Sequence, residues 1–226
     1  MATELEEPIT KQELLRAVKH LKNNKSTSFD CISNEMLKHG IEPLAKSILL
    51  LFNTILSFNV YPIEWKKDIL GPLHKSGEKS DPNNFRGICV SSCFGKLFNS
   101  ILRNRLEEKC QKNNLINKFQ ASGKQNVRTS DHLLVLKHII HKYTKVKKQK
   151  LFVCFFDLKK AFDFVPRTKM FYNLLTQYKI GGKFLKILKN IYTDNQMFVK
   201  VDGGLTRSFV TTTGVKHKHK QTSRYL

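Results

Sequence analysis

The sequence predicts an α+β fold, and three observations carry that reading. Apolar residues recur at helical spacing over residues 11–22, 43–57 and 94–112. Residues 67–91 and 197–212 instead show the short apolar runs and turn clusters of β-hairpins. Between them, Leu151-Phe152-Val153-Cys154-Phe155-Phe156 is an unbroken apolar run bounded by charge, which predicts a strand buried on both faces. That strand would deliver the carboxylate of Asp157 to its C-terminal end.

The elements follow in order. Thr10-Lys11-Gln12-Glu13 has the spacing of a capping box, and the helix it opens carries Leu14, Leu15, Val18 and Leu21 on one face. A polar loop, 23–30, leads to a short helix over 35–39 that Gly40 should stop. Pro43 starts a longer helix to about residue 57, apolar at Leu44, Ile48, Leu51, Phe52, Ile55 and Leu56. Strands at 67–74 and 85–91 flank the turn-rich stretch 76–84. The helix 94–112 places Phe94, Leu97, Phe98, Ile101, Leu102 and Leu106 on one side and Lys96, Arg103, Arg105 and Lys109 on the other. A helix over 131–143 runs into the basic cluster 145–150. After Asp157, Asp163-Phe164-Val165-Pro166 reads as a helix entrance with Asp163 as the cap. Helices near 167–178 and 184–192 are split by Gly181-Gly182, and Gly203-Gly204 turns the last hairpin.

Composition narrows the function classes. The chain has 226 residues, 40% of them hydrophobic and 16 of them Phe, enough to bury a core rather than form a disordered basic tail. Forty Lys and Arg against 18 acids give a formal charge of +22, which favours polyanions through counterion release and makes RNA or DNA the first partner to consider. The five cysteines include no CxxC pair and read as reduced thiols of an intracellular protein, nuclear or cytoplasmic. Met1 to Pro8 is acidic, unlike a signal peptide, and the longest apolar run, near 48–52, is too short to span a bilayer, so no membrane association is expected.

Four segments, in order, resemble the reverse transcriptase of non-LTR (LINE-type) retrotransposons. Asn24-Lys25-Ser26-Thr27-Ser28-Phe29-Asp30-Cys31-Ile32 with Glu35-Met36-Leu37-Lys38 resembles the N-terminal block of that family. Trp65, Pro72-Leu73-His74-Lys75-Ser76-Gly77 and Asn84-Phe85-Arg86-Gly87-Ile88 resemble its fingers block, with Gly87 in place of proline. Phe119-Gln120-Ala121-Ser122-Gly123-Lys124 with Thr129-Ser130-Asp131-His132 resembles the next block. Phe156-Asp157-Leu158-Lys159-Lys160-Ala161-Phe162-Asp163-Phe164-Val165 matches the palm motif F-x-D-L-x-K-A-F-D-x-V closely.

The resemblance implies an RNA-directed DNA polymerase lineage and right-hand polymerase fingers joined to an incomplete palm. It implies an N-terminal extension over 1–9, a partial reverse transcriptase domain over 10–216 and a divergent basic tail over 217–226. Asp157 would be the first palm aspartate holding two Mg²⁺ ions for nucleotidyl transfer. Phe162 would be the ring that selects a dNTP by blocking a ribose 2′-hydroxyl, although core packing is the plainer reading of that residue. Lys75 and Arg86 would meet the incoming triphosphate, Arg86 with the better geometry for phosphate. Arg103, Arg105, Lys147, Lys148 and Lys150 are expected to contact the backbone of RNA or an RNA–DNA hybrid. His217-Lys218-His219-Lys220 stands where the family has Gln-Gly and its sequel, and two of the usual three metal carboxylates do not follow. The expectation is therefore a chain catalytically inactive alone. The alternative is a non-catalytic, sequence-nonspecific RNA- or DNA-binding remnant. Apolar surface is expected to stand exposed from about residue 198 onward.

Overall fold

A computed structural model describes residues 3–117, 119–120, 128–158, 160–201 and 203–215. The domain boundary at 216, the tail 217–226 and the stretch 121–124 lie outside the described residues.

The helical core forms largely where the apolar spacing places it. Helix α1 (Thr3–Glu6) precedes α2 (Lys11–Lys19), which starts on the expected capping box: Thr10 Oγ1 accepts from the Glu13 amide at 3.2 Å, and Glu13 Oε2 accepts from the Thr10 amide at 2.8 Å. Helix α3 (Asn34–His39) is capped by Ser33 and ends on Gly40. Helix α4 (Ile41–Phe58) follows at once and stops where Asn59 turns left-handed. Its Ile48, Phe52 and Ile55 meet α5 (Cys93–Lys112) through Leu97, Phe98 and Ile101, all buried. Phe52 lies edge-on to Phe98 at 5.3 Å and to Trp65 at 6.0 Å, geometry that aromatic quadrupoles favour. By length and composition alone α4 could cross a membrane, so the reading of that run as too short is corrected; six of its side chains lie buried within the protein.

The sheet is mixed. Strands β1 (Lys67–His74) and β2 (Phe85–Val90) make the expected antiparallel hairpin, from Ile69↔Val90 to His74↔Phe85. Helices α7 (Arg167–Thr176) and α8 (Gly182–Tyr192) intervene before β3 (Gln196–Val201) runs parallel to β1, from Lys67↔Gln196 to Leu70↔Val199. The short strands β4 (Gly204–Leu205) and β5 (Phe209–Val210) pair along the other edge of β3. The hairpin expected over 197–212 is thus built into a larger sheet. Gln196 to Val199 are half-buried, and Phe198 meets the Phe29 ring at 4.9 Å. Val201, Leu205, Phe209 and Val210 are exposed, so the uncovered apolar surface starts a little later than expected.

Two expectations fail between α6 (Thr129–His141) and α7. Residues 151–158 have no regular secondary structure and join no strand among the described residues, and Phe152, Phe155 and Phe156 are exposed rather than buried. A buried strand needs a neighbour for its amides and a layer over its side chains. Neither is present among the described residues, and Leu133, Leu134 and Val135 of α6 are themselves exposed. Nor does Asp163 cap α7: the N-cap is Pro166, and Asp163 lies in the preceding turn, its amide donating to the Lys160 carbonyl at 2.9 Å.

Candidate nucleic-acid interface

The hairpin brings two of the expected cations together. Lys75 extends the β1/β2 ladder, its amide donating to the Asn84 carbonyl at 2.8 Å, while Arg86 stands opposite Leu73. Lys75 is thus diagonal to Arg86 on one face of the hairpin, within reach of a shared phosphate for side chains of this length. Both are exposed. His74 and Phe85 stack edge-on at 5.2 Å on the opposite face and hold the hairpin end.

Arg105 is not where an RNA-contacting residue would be. It is buried, and its guanidinium is consumed by Glu13 and by the backbone carbonyls of Leu5, Glu7 and Pro8. The assignment of Arg105 to nucleic-acid binding is therefore overturned. The reason was in the sequence: Arg105 follows Phe98 by seven residues and Leu102 by three, which puts it on the apolar stripe of α5. Partial burial raises the pKa of Glu13, but the Arg105 hydrogen bond and charge and the Thr10 amide outweigh it and hold the carboxyl below its usual range. Arg103 is half-buried and bonds Asn104 Oδ1 at 3.0 Å.

Lys147, Lys148 and Lys150 remain available. They follow a π-helical turn (Lys142–Val146), with Lys148 at φ +52°, and all three are exposed. Lys147 Nζ sits 4.8 Å from the centre of the Tyr143 ring. The ammonium lies over one face of that ring, a cation–π contact that holds Lys147 at the surface.

Asp157 is exposed on the irregular segment 151–158. Among the described residues no three or more His, Cys, Asp or Glu side chains gather to hold a metal ion. A two-Mg²⁺ centre needs several oxygen ligands converging on both ions. The described residues do not bring such a set together.

Phe162 is half-buried, and its carbonyl accepts from the Val215 amide at 2.9 Å, while the Gly214 amide donates to the Val165 carbonyl at 2.9 Å. This strap is fastened by a residue the sequence did not flag. Arg167, at the start of α7, donates from Nε to the Gly214 carbonyl at 2.8 Å and from Nη2 to Thr213 O at 2.9 Å and Thr211 Oγ1 at 3.0 Å. Its Nη1 reaches the Thr211 and Tyr192 carbonyls, and the guanidinium lies over the Tyr192 ring at 5.3 Å. Partial burial lowers its pKa from the usual arginine value. Nothing in the local pattern marks Arg167, because its partners lie more than twenty residues downstream.

The chain matches the family described as reverse transcriptase (RNA-dependent DNA polymerase) over residues 73–217. It is 26% identical over 82% of its length to a probable RNA-directed DNA polymerase from transposon BS of Drosophila melanogaster, covering 22% of that protein. It is 23% identical over 95% of its length to the probable RNA-directed DNA polymerase from transposon X-element of the same fly, covering 24% of it. A 149 kDa uncharacterized protein of transposon TX1 of Xenopus laevis is 23% identical over 94% of the chain, which covers 16% of that relative. The matched segment holds both the paired hairpin cations and Asp157. This chain belongs to the reverse transcriptase family and is homologous to part of the RNA-directed DNA polymerases of non-LTR retrotransposons. It spans a quarter or less of the length of these relatives.

Proposed function

We propose that this chain is the fingers and first palm segment of a reverse transcriptase, and that its work is to bind RNA or an RNA–DNA hybrid without sequence preference. Arg86 and Lys75 meet the triphosphate of an incoming dNTP, and Phe162 lies on the palm segment that would face its sugar. The observation that carries the reading is the diagonal pairing of exposed Lys75 and Arg86 on one hairpin face in a chain of charge +22.

That no further carboxylates gather with Asp157 among the described residues favours binding without chemistry by this chain alone. Primer extension on an RNA template with dNTPs and Mg²⁺ should give no product above an Asp157→Ala control, and incorporation above that control would contradict the non-catalytic reading. Nucleotide recognition is tested by dNTP binding: Arg86→Gln should weaken it more than Lys75→Gln, since only arginine offers a planar fork to phosphate. Equal binding by the wild type and the Lys75→Gln, Arg86→Gln double variant would remove the hairpin from the site.

A further inference from the structure

The mixed sheet puts a third cation on the face that carries Lys75 and Arg86. Paired residues of neighbouring strands point to the same side of a sheet, and the register Leu70↔Val199 continues one step to set Lys200 beside Gly71. Gly71 in turn stands opposite Ile88, and Leu73 opposite Arg86. Strand spacing puts the Lys200 Cα about 12 Å from that of Arg86 and about 14 Å from that of Lys75.

Between the cations lies an apolar floor. Leu73 and Ile88 are exposed, and Gly71 leaves the space above it open: a Cβ there would meet only the Ile88 carbonyl oxygen, at 3.8 Å. The floor ends where the Phe29 ring meets Phe198, two residues before Lys200. All three cations are exposed, and no carboxylate among the described residues pairs with any of them. Cations on either side of an apolar floor match the alternation of a nucleic-acid strand, phosphate then nucleoside, rather than one compact phosphate group.

We propose that Lys200 binds a backbone phosphate of a single RNA strand, and that the nucleoside next to this phosphate lies over Gly71, Leu73 and Ile88, beside the nucleotide whose triphosphate Lys75 and Arg86 meet. The inference rests on the reading of the hairpin face as a nucleotide and nucleic-acid interface, and adds to it the residue that holds the neighbouring strand. Gly71 serves this site rather than the fold. Its φ is not positive, and glycine inside a strand weakens it, so the open space above it is what a side chain would cost.

The test is fluorescence anisotropy of a short labelled oligouridylate with the full chain, across about 50 to 200 mM salt. Lys200→Gln should reduce the salt slope by about 0.7, the share of one single-strand phosphate. Lys46→Gln, also exposed but on α4, should leave it unchanged. Gly71→Ile should weaken binding about fivefold, the low end of what one seated base contributes. Its melting temperature should not fall, because a β-branched residue suits a strand. Binding of dTTP should be unaffected by Lys200→Gln and weakened by Arg86→Gln, which separates the strand phosphate from the triphosphate. Wild-type RNA affinity and slope in Lys200→Gln, wild-type affinity in a folded Gly71→Ile, or a Lys200→Gln effect on dTTP alone would each overturn the inference. If the Lys75→Gln, Arg86→Gln double variant also binds RNA and dTTP as the wild type does, the hairpin reading itself fails. Loss in that double variant alone keeps the hairpin reading and removes Lys200 from the site.

Discussion

Arg105 and Glu13 close a two-pronged ion pair, with Nε 2.6 Å from Oε1 and Nη2 2.9 Å from Oε2. The same guanidinium bonds the carbonyls of Leu5, Glu7 and Pro8, so one side chain of α5 fastens both α2 and the segment that leads into it. The arrangement turns a cation from a ligand for polyanions into an internal tie.

Replacing Arg105 with Ala should therefore cost stability. Breaking a buried pair leaves the other charge uncompensated, and about 3 kcal/mol is expected, toward the lower end because Glu13 stays partly open to water. A urea titration measures it. An unchanged midpoint would mean that the pair contributes nothing.

The same pair makes stability depend on pH. The folded pKa of Glu13 is lowered, so its contribution is complete above the ordinary glutamate value of about 4.3 and is lost as pH falls through the lowered folded value. Glu13→Gln should flatten the acid side of the stability–pH curve below about pH 4.3 and lower stability at neutral pH. A variant curve parallel to the wild type at every pH would contradict the assignment.

The Arg167 strap yields a further test. Gly214 has φ +77°, and a Cβ there would lie 2.8 Å from the Asp163 carbonyl oxygen and 3.0 Å from that of Phe162. Gly214→Ala should cost roughly 1–3 kcal/mol. Arg167→Ala should speed amide exchange at Gly214 and Val215, whose N–H groups bond Val165 and Phe162. Unchanged exchange at those two amides would show that the strap holds without Arg167.

Much of the scaffold was legible because its signals are local. The capping box at Thr10 and Glu13, the glycine after α3 and the turn between β1 and β2 are each specified within a few residues, and they appear where read. What was not legible depends on partners distant in sequence. The parallel pairing of β3 with β1 joins residues more than a hundred positions apart. The apolar run 151–156 has every local mark of a buried strand, yet burial depends on a neighbour that no local pattern supplies. Arg105 is a different case, since its position on the stripe of Phe98 and Leu102 could have been read from helical spacing. Lys75 and Arg86 were singled out through the resemblance, and the antiparallel register places both on one face of the hairpin.

Whether the exposed lysines of this chain hold nucleic acid through its phosphates is decided by filter binding of RNA and RNA–DNA hybrid across about 50 to 200 mM salt. Affinity should fall steeply and alike for unrelated sequences. Neutralising Lys147, Lys148 and Lys150 together should reduce the salt slope by roughly one for each phosphate that is no longer neutralised by a lysine. Arg105→Ala, measured where it remains folded, should leave the slope unchanged because its guanidinium is already engaged within the protein. Affinity that stays flat with salt, or a slope that depends on Arg105 and not on the three lysines, would contradict this mode of binding.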